Sequence, residues 1–249
     1  MKKLKIIFIL FIVGMPIFGV GYWLKKDISS EVSLNNEQYI EYQTKTYLTN
    51  EIIDNAKKYE AILELERRFT PSYMLEVSDA VVIASVISVD NADTLNNPAL
   101  GNTYGTMVIN NVLYGNLEQG KVIKYFKSGG IMTLAEYEKG QLPDAVAKRE
   151  ELRKNNGIDA TKIYINSLAE YDVHAEEGKV YLCYLNYVDR LKSYEIVGLG
   201  QGFREVNITR QKTVTSKSIS LDNLQVLNNE TGKYENLNEY IALELNVSK

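Results

Sequence analysis

The sequence predicts an α+β protein, dominated by strands and carried on an apolar N-terminal segment. Three observations predict this. Ile6–Leu24 (IIFILFIVGMPIFGVGYWL) is a run of nineteen residues without a charge. At about 1.5 Å per residue it just spans a hydrocarbon core of roughly 30 Å. From Ala80 to Val206, short β-branched runs alternate with Gly- and Asn-rich turns, the pattern of a strand-built domain. Between the third and fourth of these runs stands one clear helix, Pro143–Asn155, opened by Pro-Asp and stopped before Gly157.

The apolar segment has two readings. Lys2, Lys3 and Lys5 precede it, and Lys25 and Lys26 follow. An aromatic pair, Tyr22-Trp23, stands just before the second lysine group, as in an interfacial anchor. The alternative is a cleaved signal peptide, with small residues Gly19 and Gly21 marking a cleavage site near Gly21. Pro16 is tolerated in a membrane helix. The excess of positive charge before the segment predicts a cytoplasmic N-terminus, with residues 27–249 outside the membrane. The cell membrane, reached through residues 6–24, is thus the first partner the sequence implies. Residues 1–26 form this segment, 27–71 a stalk, 72–207 the main domain, and 208–249 a C-terminal hairpin and helix packing on it.

Composition limits the partners of the exported part. Setting aside the five N-terminal lysines leaves 23 basic against 32 acidic residues, a net charge of −9. Nucleic acid and anionic lipid both require a positive field, so no nucleic-acid partner is expected. One cysteine, Cys183, rules out an intramolecular disulfide. One histidine, His174, leaves little for a histidine-based metal site or catalytic triad. No metal or cofactor is expected.

In chain order, residues 27–35 read as a polar tether. Ile52, Ala56, Tyr59 and Leu63 recur at helical spacing, and Thr49 or Asn50 is a cap for a fresh start. A helical stalk is therefore expected from Glu37 to Phe69, ended by Thr70-Pro71. Ala80–Val89 (AVVIASVISV) is apolar on both faces, as a central strand is. Asp90–Thr103 reads as a long polar loop. Tyr104–Tyr114 is a second strand with a bulge at Asn110-Asn111, and Lys121–Phe126 a third. Ile131–Lys139 is ambiguous, and Lys162–Asn166 reads as an edge strand. Lys179–Tyr187 (KVYLCYLNY), Tyr194–Gly198 and Gly202–Val206 are further strands. A turn at Asn228–Gly232 and a closing helix over Leu237–Leu245 complete the reading.

The order strand, strand, strand, helix, strand, strand is that of an OB-type barrel. The full expectation is α+β: an N-terminal transmembrane helix, a helical stalk, and an OB-like β-barrel with a helical insertion between strands three and four. The segments SDAVVIASV, VLYG, SGG, EEGKVYLCYL and GLGQGF, in this order, resemble a group of uncharacterised exported and membrane-anchored proteins of Gram-positive bacteria with an OB-like barrel. The resemblance covers residues 72–207. It implies the fold and brings no catalytic residues with it.

The features that suggest chemistry each have a plainer structural reading. Gly198–Gly202 (GLGQG) invites a phosphate-loop reading, but a strand rather than a helix is expected after it, so a β-corner is the better account. Cys183 lies within an apolar strand, as a structural thiol does. His174, in YDVHAEEG, reads as a surface residue. Asp172 with Glu176 and Glu177 offers at most a loose cation site. Glu136/Glu138, Glu150/Glu151 and Glu176/Glu177 are acidic pairs with nothing to set them across a substrate bond. No catalytic residue is nominated.

OB barrels bind ligands over strands two and three, between the loop joining strands one and two and the loop joining four and five. Here those loops are Asp90–Thr103 and Val188–Ser193. The expected ligand surface is therefore rimmed by Tyr104, Lys124, Tyr125, Tyr187 and Arg190, suited to a glycan or a peptide; the uneven alternation of Lys121–Phe126 leaves open which of Lys124 and Tyr125 points outward. The expected function is a membrane-anchored extracytoplasmic binding module. The alternatives are an exported cell-envelope hydrolase using carboxylates, and a secreted inhibitor or immunity-type protein.

The anchor reading predicts that the protein fractionates with membranes and keeps its apolar segment. N-terminal sequencing of the mature protein checks this, and a chain beginning near Tyr22 contradicts it.

Overall fold

The computed structural model describes residues 40–61, 69–208, 210 and 212–244. It is mixed α+β, rich in strands with few helices. Strands β1 (Glu41–Gln43) and β2 (Lys45–Thr46), helix α1 (Asn50–Asn55), β3 (Lys57–Ala61) and the short helix α2 (Pro71–Glu76) come first. The long strands β4 (Ala80–Asp93) and β5 (Asn102–Gly115) lead to β6 (Val122–Ser128). An insertion follows: β7 (Gly130–Thr133), α3 (Leu134–Glu138), α4 (Pro143–Asn155) and β8 (Tyr164–Ala169). Then come β9 (Val180–Val188), β10 (Ser193–Ile196), β11 (Phe203–Glu205) and β12 (Thr213–Thr215). The hairpin β13 (Gln225–Asn228) and β14 (Lys233–Asn236) precedes α5 (Leu237–Glu244).

Hydrogen-bonded pairing links these strands non-sequentially. β4 pairs antiparallel with β5, and β5 with β6. β10 lies parallel to β6 and antiparallel to β9, and β9 pairs antiparallel with β4. The pairings of β4, β5, β6, β10 and β9 thus return to β4. β2 adds to β4, and β11 shares an edge of β9 with β10.

The two apolar faces of Ala80–Val89 have different partners. Val82, Ala84 and Val86 join Met107, Ile109, Tyr125, Tyr181, Cys183, Leu185 and Phe203 in one buried cluster. Val81 and Ile83 join Leu182 and Tyr184 in a second cluster. There they meet Met74 and Leu75 of α2, Val226 of β13, and Leu237 and Tyr240 of α5. The C-terminal elements are therefore what the outer face of β4 and β9 requires. Each fully buried aliphatic or aromatic side chain stabilises by about 1.5–3 kcal/mol.

Local details follow from single residues. The Tyr125 ring packs where Gly105 has no side chain. A Cβ there would lie 2.8 Å from the ring and 2.1 Å from the Ser88 carbonyl oxygen. The register slips between Ile83 and Ala84, leaving Asn110 bulged, as its sequence suggests. The buried Asn110 amide donates to the carbonyls of Thr215 and Lys217, at 3.0 and 2.9 Å. Asn111 donates to Ser218 Oγ and the Ile219 carbonyl. The bulge thereby ties the strand after residue 212 to β5.

Several expectations change. The helical stalk is limited, among the described residues, to α1. Thr49 does cap it, accepting from the Ile52 N–H at 3.2 Å, but Ala56 turns extended. Lys57–Ala61 then pairs in parallel with β8. Ladder pairing overrides a weak helical period there. Ile62 to Arg68, with the rest of the expected stripe, lies outside the described residues. So does Ile6–Leu24; no helix among the described residues is long and apolar enough to cross a membrane. The loop of Asp90–Thr103 is shorter than expected, because β4 runs to Asp93 and β5 begins at Asn102.

Ion pairs fix the insertion. Glu138 is buried and accepts from Arg149 Nε at 3.0 Å and from both Arg153 Nη atoms at 2.6 Å. This clamp holds α4, which buries no residue of its own. At its other end the insertion returns through Asp172, whose Oδ2 accepts from Lys127 Nζ at 2.9 Å. Both side chains are at most 2 % exposed. The carboxylate of Asp172, which from sequence could offer at most a loose cation site, is thus paired with a lysine of the chain itself.

Removing one partner of a buried pair leaves an uncompensated charge, which costs about 3–5 kcal/mol. Lys127→Met is expected to destabilise by that amount in urea unfolding. The double variant Lys127→Met/Asp172→Leu is expected to recover most of the loss. A single variant as stable as the parent contradicts this.

Candidate functional site

Register sets which side chains share a side, because directly paired residues project together. One row across the sheet runs Asn91, Tyr104, Phe126, Glu195 and Asn186. The next row runs Val89, Gly105, Tyr125, Tyr194 and Tyr187. Tyr125 is only 1 % exposed and sits in the core cluster, so the second row faces inward. The first row faces the opposite side, where Asn91 is exposed, Tyr104, Glu195 and Asn186 are half-buried, and Phe126 is covered. Lys124, paired with Thr106, stands exposed on the same outward side as Tyr104.

The five residues expected at a ligand surface therefore divide. Tyr104, Lys124 and Arg190 are on the outer side or its rim. Tyr125 belongs to the core, its hydroxyl donating to the Ser88 carbonyl at 3.4 Å. Tyr187 is 41 % exposed, but its register places it in the inward row at a strand end, with its ring 5.1 Å from that of Tyr194. The alternation of β6 is the reason: Ile123, Tyr125 and Lys127 point in, so Lys124 points out.

The two expected loops meet. Arg190, on the tight turn Asp189–Leu191, donates from Nη1 to Asn96 Oδ1 at 2.7 Å. Asn96 Nδ2 donates to the Tyr104 hydroxyl at 3.1 Å, and that hydroxyl donates to Asp93 Oδ1 at 3.3 Å. Asp93 also accepts from the Leu95 N–H at 3.0 Å, holding the loop start. Leu95 itself projects into solvent, 77 % exposed. The result is a continuous polar chain from β4 through β5 to the turn after β9, with an apolar side chain at its edge.

Three of these participants, Asp93, Asn96 and Glu195, were not nominated from sequence. Glu195 is half-buried, and burial raises its carboxyl above the usual range while the Arg190 charge opposes the shift. Glu195 shares its row with Phe126, but Ser193–Ile196 does not alternate in burial, so no local pattern marks it.

The other candidates resolve differently. Cys183 is fully buried, and burial pushes its thiol up. His174 is not a surface residue. Its Nε2 is enclosed and, among the described residues, has no hydrogen-bond partner. Burial, with the Lys127 charge added, lowers its pKa to about 4. His174 lines a cavity of about 380 Å³ with Leu48, Ile53, Glu176, Glu177 and Arg210. The charges there are already matched: Arg210 pairs with Glu176 and Glu177, and Lys179 with Glu176. Gly198–Gly202 forms a corner followed by strand β11, and a Cβ on Gly200 would lie 2.0 Å from the Tyr171 carbonyl oxygen. Among the described residues, no group of three or more His, Cys, Asp or Glu is placed to hold a metal ion. No family model, curated protein or solved structure matches the chain.

Two outcomes follow from these environments. Cys183 is expected to resist alkylation in the native protein and to react once unfolded; rapid native labelling contradicts its burial. His174 binds its proton more tightly when unfolded, where its value is near 6.5. Stability is therefore full above about pH 6.5 and falls toward pH 4, by about 3 kcal/mol from this group. His174→Gln is expected to flatten that part of a stability–pH profile. An unchanged slope contradicts it.

Proposed function

We propose that the protein is a membrane-anchored extracytoplasmic binding module. In this reading the circuit of β4, β5, β6, β10 and β9 is an OB-like barrel, and its outer face over β5 and β6 takes the ligand. The parallel pairing of β6 with β10 supports the barrel reading, since it joins the third and fifth strands of the circuit. The lysine-flanked apolar run Ile6–Leu24 supports the anchor, with the domain outside the cell. A net charge of −9 over residues 27–249 disfavours nucleic acid and leaves a glycan or a protein segment as the ligand.

The observation that carries the reading is the Arg190–Asn96 hydrogen bond. It brings the two loops together beside an outward-facing tyrosine, with exposed Leu95 and Lys124 at hand. Binding surfaces combine such rigid aromatic and apolar contacts with a polar rim. The alternative of a carboxylate hydrolase needs a second free carboxylate opposite Glu195. The nearest acid in the network, Asp93, is already engaged by Tyr104 and the Leu95 N–H.

The test uses the full-length protein in detergent, incubated with labelled cell-envelope fragments. Tyr104→Ala with Arg190→Glu is expected to lower retention by more than about tenfold, as loss of central interface anchors does. Lys148→Glu on α4 is the control. Equal retention by the double variant and the parent contradicts the site.

A further inference from the structure

The outer face contains two charged side chains whose capacity for partners is unused. Glu195 is half-buried, yet among the described residues it has no hydrogen bond and no ion pair; only the through-space field of Arg190 acts on it. Arg190 spends a single N–H on Asn96 and, among the described residues, has no carboxylate partner. The two do not close on each other. Lys192, which adjoins the same turn, is paired with Asp189 at 2.7 Å and neutralises neither. Asp93 is occupied by Tyr104 and the Leu95 backbone.

A half-buried carboxylate without a partner is costly, and a charged donor relieves that cost best. The planar guanidinium of Arg190 is shaped to receive a carboxylate through two parallel N–H groups. Both come from short, well-anchored elements: Glu195 from β10, held between β6 and β9, and Arg190 from the turn that Asn96 clamps. The charge pattern is that of a receptor for a ligand bearing an ammonium or guanidinium group next to a carboxylate.

We propose that the ligand is a peptide segment bearing both charges. A basic side chain of that segment pairs with Glu195, and an acidic side chain pairs with Arg190. Tyr104, half-buried, lies in the same row and offers its ring edge to the segment, backed by the buried Phe126 with ring centroids 6.0 Å apart. A glycan fits this charge pattern less well, because hydroxyl groups leave both charges uncompensated. Glu195 thereby becomes the residue that sets specificity. This inference rests on the outer face being the binding site.

The experiment measures fluorescence anisotropy with the full-length protein in detergent micelles. The probes are labelled, end-capped extended peptides containing one lysine and one glutamate. The same peptides with acetylated lysine, and a neutral oligosaccharide of amino sugars, are the comparison. The charged peptide is expected to bind more than about tenfold tighter than its acetylated form, as expected when a charge pair is broken at an interface. Glu195→Gln is expected to erase that preference while circular dichroism stays unchanged. Binding of the oligosaccharide but not the peptides, still lost in Arg190→Glu, overturns the peptide assignment and leaves the site standing. Equal binding of charged and acetylated peptides also overturns it. If no probe depends on Arg190 or Tyr104, both the site and the assignment fall.

Discussion

Lys127 is a lysine on the inward side of a strand, and the structure around it depends on meeting that charge. The period of two along β6 leaves no choice: if Ile123 and Tyr125 point into the core, Lys127 does too. A single charge in that position is tolerable only when paired and hydrogen-bonded. Its Nζ donates to Asp172 and to the Ser128 carbonyl, and lies 5.8 Å from the centre of the Phe203 ring. Phe203 in turn stacks on Tyr181 at 4.0 Å. Asp172 belongs to the segment that brings the chain back from the insertion. Pairing with Lys127 draws that segment against the core, where Val173 and Ala175 pack. The enclosed, neutral His174 and the bond from the Tyr181 hydroxyl to the His174 carbonyl follow from the same docking.

The same alternation produces the outer face. With Lys127 and Tyr125 inside, Lys124 and Phe126 take the opposite side, Lys124 exposed and Phe126 covered, and the ladders carry that choice across to Tyr104 and Glu195. A slip of one residue would exchange core and surface on every strand of the circuit. Gly105 guards the register, because only a residue without a side chain leaves room for the Tyr125 ring beside the Ser88 carbonyl. Outer face and core are thus two consequences of one pairing pattern. The loops add what the strands cannot, through Arg190 and Asn96.

Much of this was legible from residues alone, and the limits have physical causes. Alternating and doubly apolar runs located the main strands, and Pro-Asp before a charged run located α4 to the residue. The Asn110-Asn111 pair announced its bulge. Lys57–Ala61 departs from the helical expectation because its helical spacing is weak and its partner, β8, lies about a hundred residues later; non-local pairing leaves no mark in a short window. The choice between Lys124 and Tyr125 is open in the sequence because Lys121–Phe126 does not alternate cleanly in hydrophobicity; the structure places Tyr125 in the core. Phe126, on the side opposite Tyr125, is buried as well, so hydrophobicity gives no contrast between the two faces. Asp172 and Lys127 are 45 residues apart in sequence, and nothing local in either announces the other. Glu195 escaped notice because a lone acid in a strand is ordinary until its lack of partners is seen.

Hydrogen–deuterium exchange on the full-length protein, with and without bound envelope ligand, tests the central claim most directly. The account predicts that binding slows exchange together in the loop Thr94–Gly101 and the turn Asp189–Leu191, with no change in Glu176–Lys179 beside the His174 cavity. Slowing confined to that cavity, with both loops unaffected, would contradict it.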